Sequence, residues 1–279
     1  MSTFYDNTLN FLHQLLYDKT EDKTNFNEFW DNNCKYNNGN LTIGYTHKLS
    51  PTGEYTSLQD IIADDLDEYR IFVEGGNYTY TTGVTFNVPT SIIGDPFNPP
   101  VVNCTTGARW CYINLSDYTN VESTVSNITW NGTNTVNQYG LAYNVGSNKV
   151  KVTNCNFNNI WATYNGQALR FYGCTEGSDV TVAKCSFKDN TTRGYGHIFG
   201  SIIVGGTKIS NLLVHHCTFN NIKPLTTNAK SGANGGGIIV SNEDYSTTVP
   251  EIGTATAKCN TYVDSSIDYN YRVTETQCE

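Results

Sequence analysis

Six side chains in the middle of this 279-residue chain have the types that recognise sugars: Trp161, Tyr164, Arg170, Tyr172, Tyr195 and His197. An aromatic ring stacks on the apolar face of a pyranose, while guanidinium, imidazole and neighbouring amide groups hydrogen-bond its hydroxyls. A second chemistry competes for some of the same residues. Arg170 and Arg193 are candidate bases for a polysaccharide lyase, with Glu176, Asp179 and Asp189 as carboxylates nearby in sequence and Ca²⁺ as the ion that would acidify the proton beside a uronate. Hydrolysis would instead need two carboxylates facing each other across the scissile bond. Here the only Asp-Asp pair, Asp64-Asp65, falls on an expected helix, and Gly196-His197-Ile198 has no second glycine after its histidine. The catalytic reading therefore ranks below the recognition reading, which needs no catalytic residue and no cofactor.

Metal chemistry finds little support in the spacing. No Cys-x-x-Cys or His-x-x-x-His pattern occurs, and His215-His216 are adjacent, so alternation sends one outward and the other inward or into a bend. The expectation is no metal site.

What positions these residues is an internal repeat. Asn154-Cys-Asn-Phe-Asn-Asn, Lys184-Cys-Ser-Phe-Lys-Asp and His216-Cys-Thr-Phe-Asn-Asn recur at intervals of 30 and 32 residues. A period of that size marks stacked units. Five and three residues before each cysteine stand Val150 and Val152, Val180 and Val182, Leu212 and Val214, which is the period-two alternation of a strand. A weaker copy around Ile128 and Trp130 has Ser123 in the first apolar slot. Glycine-led strands precede each copy, as in Gly166-Gln-Ala-Leu-Arg-Phe and Gly236-Gly-Ile-Ile-Val. A unit of about 30 residues without a helix pattern buries its apolar face only by stacking on its neighbours. The predicted fold is an all-β parallel β-helix, with rungs ~4.8 Å apart. Its inward columns are Cys155, Cys185 and Cys217, then Phe157, Phe187 and Phe219, and its bends are turned by Asn159, Asp189 and Asn221.

These motifs resemble the right-handed parallel β-helices of the pectin-lyase-like superfamily. The Cys-x-Phe-x-Asn-Asn and Gly-Gly-Ile-Ile strings are most similar to adhesin-like and polymorphic surface-protein repeats of methanogens and bacteria. The upstream run Tyr55-Thr-Ser-Leu-Gln-Asp-Ile-Ile, Arg70-Ile-Phe-Val-Glu-Gly-Gly-Asn-Tyr and Ser91-Ile-Ile-Gly-Asp resembles the opening of such solenoids, a short helix followed by strands. The resemblance implies a right-handed coil and a place on a cell or virion surface. It is compatible with adhesins, with polysaccharide lyases or hydrolases, and with a structural part of a tail spike or stalk, because one scaffold serves them all.

Composition narrows the partners. A net charge of −9 lacks the clustered basic residues that a nucleic acid requires. No run of 18 apolar residues is present, so no helix is expected to insert in a membrane. The start, Met1-Ser-Thr-Phe-Tyr, has no basic segment followed by an apolar one, hence no visible secretory signal. The expected partner is a polysaccharide or cell-surface glycan, with a homo-oligomer or larger surface or viral assembly as the setting. Two regions are expected: a helical cap or attachment segment over 1–52, built on Leu9, Leu12 and Leu16, and the β-helix over 53–279, with an irregular C-terminal end. In that end Cys259 would continue the inward cysteine column. Of the nine cysteines, the three in register are expected to be buried thiols. Cys34, Cys104, Cys111, Cys174, Cys259 and Cys278 are left to pair, and Cys259 with Cys278 is one pairing that would clamp the end.

Overall fold

The computed structural model describes residues 34–37, 40–43, 45–104, 109–133, 139–162, 168–192, 200–224, 236–241, 251–264, 266–268, 274–276 and 278. The expected N-terminal helix lies outside them. A short antiparallel hairpin, Cys34–Asn37 with Asn40–Ile43, comes first, as the Asn-Asn-Gly-Asn turn suggests. From His47 onward every strand pairing described is parallel, which makes the fold an all-β parallel β-helix.

Each full coil contributes a strand to three long sheets. In the central coil these are Tyr139–Asn144, Ser147–Thr153 and Asn156–Asn158. The sheet containing Ser147–Thr153 runs through nine strands, from His47–Leu49 to Thr274–Thr276, and the other two through seven each. A fourth ladder of two-residue strands, Trp161–Ala162, Thr191–Thr192 and Lys223–Pro224, flanks the central coils. The helix is shorter than its sequence pattern, Leu58–Ile62, with Ser57 and Asp60 forming a capping box. Asp64-Asp65 therefore follows the helix instead of lying on it.

The inward columns stand where the alternation puts them. Trp130, Phe157, Phe187 and Phe219 are paired rung to rung and fully or almost fully buried. Their successive centroids lie 4.6, 5.0 and 5.0 Å apart, with interplanar angles of 6°, 2° and 5°. The rung spacing holds the rings parallel, and each fills the gap between its neighbours. Tyr262 extends the stack at 5.2 Å.

Cys155, Cys185 and Cys217 are also buried, and their chemistry explains the choice of residue. Each thiol donates to the carbonyl two residues earlier, at 3.2, 3.3 and 3.4 Å to Thr153, Ala183 and His215. A cysteine is small and apolar enough for the core, and its thiol is a second donor to a carbonyl that already accepts a backbone N–H from the rung before. Burial pushes the Cys185 thiol well above its ordinary value, so it stays protonated. The bends use the left-handed region in two columns. Asn154, Lys184 and His216 have φ of 53°, 54° and 53° just before the cysteines, and Asn159, Asp189 and Asn221 have 55°, 54° and 54° after the aromatics. Asparagine and aspartate tolerate that region because their short polar groups bond locally. Asn221 donates to the Asp189 carboxylate one rung below at 2.6 Å.

The weak copy at Ser123 has a physical reason. Its hydroxyl donates to the Thr90 carbonyl and faces the hydroxyl of Tyr143 at 3.2 Å, and both side chains are completely buried. Serine replaces valine there because an inward tyrosine on the next face needs a partner.

The last coil differs from the sequence expectation by one residue. His215 pairs with Lys258, and Thr218 with Thr261, so Asn260, not Cys259, stands above Cys217. The inward slots are filled by Ala255 and Ala257 in place of Thr254 and Thr256. Asn260 is buried, accepts from the Cys217 N–H at 2.8 Å and donates to the Val214 carbonyl at 2.9 Å. Cys259 moves into the outward bend column, with φ 57°, and forms a disulfide with Cys278. A shift of one residue exchanges the faces of a whole strand.

Candidate functional site

Among the six sugar-type residues, Arg170 and Tyr172 are brought together. They are successive outward positions of the strand Leu169–Cys174, whose inward positions Leu169 and Phe171 are fully buried. The neighbouring strands place Tyr112, Ala142 and Arg170 in one row, and Asn114, Asn144 and Tyr172 in the next. Ala142 has no bulk to hold the rungs on either side apart, so Tyr112 leans across it and stacks on Tyr172, with centroids 5.6 Å apart and planes 15° from parallel. The Arg170 guanidinium carbon lies 4.9 Å from the centroid of the Tyr172 ring, within cation–π range. Ala142 beneath is only 3% exposed, while Tyr112, Arg170 and Tyr172 are half-buried. Two rings, a guanidinium and a row of asparagines thus stand on the outside of a rigid sheet. Nothing in the sequence marks Tyr112 as part of this group. Only the register across the small Ala142 brings it to Tyr172, and neither the strand nor the repeat signals that.

Trp161 stands on the separate short ladder, paired with Thr191. Tyr164, Tyr195, His197 and Arg193 lie outside the described residues. Asp189, the carboxylate of the lyase reading, sits at a bend after Ser186–Lys188 and accepts from Asn221, whereas Arg170 belongs to another sheet. Of the other acidic residues near it in sequence, Glu176 pairs with Lys208 at 3.3 Å, one rung up.

Two further places have the materials of a site. At the first rung His47 lies between Asp64 and Thr46, with its Nε2 2.8 Å from Asp64 Oδ2 and its Nδ1 2.9 Å from Thr46 Oγ1. Tyr55 donates to the same carboxylate oxygen at 2.6 Å. The Tyr55 hydroxyl first, and His47 second, hold the Asp64 carboxyl below the usual carboxylate range; the same bond pushes Tyr55 up to about 12. The order Thr-His-Asp is that of a nucleophile with its base and orienting acid. Its surroundings are not. Thr46 Oγ1 accepts from the Arg70 N–H at 3.0 Å and lies 3.1 Å from the Arg70 carbonyl, and the His47 ring is packed between Tyr55 and Tyr69 with 5% of its side chain exposed. The cluster is a latch from the turn after the helix to the first strand. Beside the helix a cavity of about 270 Å³ is lined by Leu49, Leu58, Tyr78, Tyr80 and Trp110, with threonines at its rim. Among the described residues its lining holds no carboxylate, imidazole, amine or thiol.

Asn127 and Asn190, in Asn-x-Thr glycosylation patterns, are 4% and 0% exposed. The Asn190 side chain accepts from the Ile160 N–H at 2.8 Å and donates to the Phe157 carbonyl at 3.0 Å.

No known family and no curated protein sequence matches this chain. Among solved structures it is similar to pectin methylesterase PemA from Erwinia chrysanthemi, at 10% identity, covering 82% of this chain and 93% of that one, with a TM-score of 0.35. It is also similar to ORF18 of Geobacillus virus E2, at 11% identity over 88% of this chain and 67% of that one, with a TM-score of 0.32. A pectin methylesterase in complex with a hexasaccharide matches at 11% identity over 82% and 93%, with a TM-score of 0.29. The parallel β-helix of this chain rests on its own strand ladders.

Proposed function

We propose that this β-helix is a non-catalytic recognition module, displayed on a cell or virion surface, that binds glycan on the outer face carrying Tyr112, Arg170 and Tyr172. The observation that carries the reading is the Tyr112–Tyr172 stack with the Arg170 guanidinium against it, on a sheet that requires no rearrangement to present them. A fixed set of rings and donors loses little entropy when a ligand docks. Trp161, Tyr164, Tyr195 and His197 are proposed as further contacts along the central coils. Neutral glycan is favoured over acidic, since the charge of −9 repels a polyanion at low salt.

Affinity electrophoresis in gels containing single polysaccharides tests the assignment. Removing one charge-assisted hydrogen bond of ~1.5 kcal/mol should weaken binding roughly tenfold in Arg170→Ala, and Tyr172→Ala should lose the stack as well. Retardation of both variants equal to that of the parent chain would exclude this face.

A further inference from the structure

We infer that His216, Cys259 and Cys278 form a redox-gated site for a thiophilic divalent cation such as Zn²⁺, at the C-terminal end of the coil. The one-residue shift of the last rung creates it. His216 and Cys259 occupy the same bend column on successive rungs, both at positive φ, so both side chains leave the coil on its outer side. The backbone fixes them: His216 N–H donates to the Lys258 carbonyl at 3.0 Å, and Cys259 N–H to the Thr276 carbonyl at 2.9 Å. The second of these bonds also brings the last strand, Thr274–Thr276, and hence Cys278, alongside. One imidazole nitrogen and two sulfurs lie within 4.8 Å of one another.

A second feature points the same way. Although His215 faces outward from its strand and His216 lies in the bend, their Nδ1 atoms approach to 2.9 Å. The left-handed backbone at His216 turns its ring back over its neighbour, which period-two reasoning does not anticipate. One ring therefore donates to the other, and this contact orients His216 as the outer partner of a ligating imidazole does. Two cysteine sulfurs and one imidazole, completed by a water as fourth donor, is a ligand set that zinc accepts. Lys184 and Lys258 add positive charge beside His215, and two thiolates would offset it together with part of the cation's charge.

In the oxidised chain the sulfurs are bonded to each other and hold no cation. A dithiol reductant would donate two electrons and two protons to the disulfide, itself becoming a disulfide, and leave two thiols. Coordination then releases both protons to solvent as the two sulfur–metal bonds form. The same end of the coil is thereby stapled in either redox state, by a disulfide or by a metal.

The test uses the whole chain, reduced with a phosphine and titrated with Co²⁺ and Zn²⁺ under anaerobic conditions. The expected result is a thiolate-to-cobalt charge-transfer band that saturates at one ion per chain and is displaced by Zn²⁺. Zinc should also raise the melting temperature of the reduced chain and leave that of the oxidised chain unchanged. His216→Asn keeps a residue type that this bend column already uses at Asn127 and Asn154, and should weaken cobalt binding at least tenfold without lowering the metal-free melting temperature. Cys278→Ser should abolish the band. No band in the reduced parent chain, or a band that survives either substitution at unchanged affinity, would overturn the site.

Discussion

Phe187 is the most direct probe of the stacked interior. It is completely buried, with Phe157 and Phe219 each 5.0 Å away and almost parallel. Replacing it by alanine removes two ring contacts, together ~1–3 kcal/mol beyond area burial, along with most of the side chain's transfer free energy. Paired strands on both sides keep the space from collapsing, so the total should be about 3–5 kcal/mol. Phe187→Leu keeps most of the apolar volume and loses only the ring contacts, so it should cost about 1–3 kcal/mol. Lys188→Ala, at the next and exposed position of the same strand, should stay within about 0.5 kcal/mol. Equilibrium urea unfolding followed by far-ultraviolet circular dichroism gives all three values, provided the slopes agree. A loss below about 1 kcal/mol for Phe187→Ala would refute the column, because no fully buried ring between two others costs so little to remove.

Ser123→Val matches Val150 on the next rung but strands the Tyr143 hydroxyl, and should destabilise by about 1–3 kcal/mol; adding Tyr143→Phe should recover most of the loss in a double-mutant cycle, and additive losses would contradict the pairing. The Asp64 latch predicts a particular acid response. Its folded carboxyl is held below the ordinary value of 3.8, so its contribution is complete above that pH and is lost as the pH falls through the folded value. Asp64→Asn should therefore melt lower than the parent chain at neutral pH, with the gap closing in acid; a gap unchanged from neutral to strongly acidic pH would remove the latch from the account.

The solenoid was legible in the sequence because its inward residues recur at nearly constant intervals. Cys155, Cys185 and Cys217 mark one column and Phe157, Phe187 and Phe219 another, and bend residues follow at fixed offsets. Where the interval changed, the register became ambiguous. Cys217 and its true successor, Asn260, are 43 positions apart, and Cys259 mimics the column one residue early. A cysteine suits the inward position by type, whereas the polar Asn260 fills the slot by bonding two backbone groups. The pairing of Cys259 with Cys278, one of several open in the sequence, is explained by the same slip, which turns Cys259 outward. The site was only half legible. Arg170 and Tyr172 are neighbours by strand alternation, but Tyr112 reaches them across a rung through the absence of a side chain at Ala142. His47 gave no sequence signal, because its partner Asp64 is set by the tertiary position of the turn after the helix.

Size-exclusion chromatography of the purified chain with a panel of neutral and acidic polysaccharides, with and without Ca²⁺, tests the central claim most directly. The chain should co-elute with at least one polymer whose own mass is unchanged, Ca²⁺ should make no difference, and Tyr172→Ala and Arg170→Ala should elute alone. Polymer shifting to lower mass would make the chain an enzyme, and co-elution undiminished by either substitution would place recognition on another face.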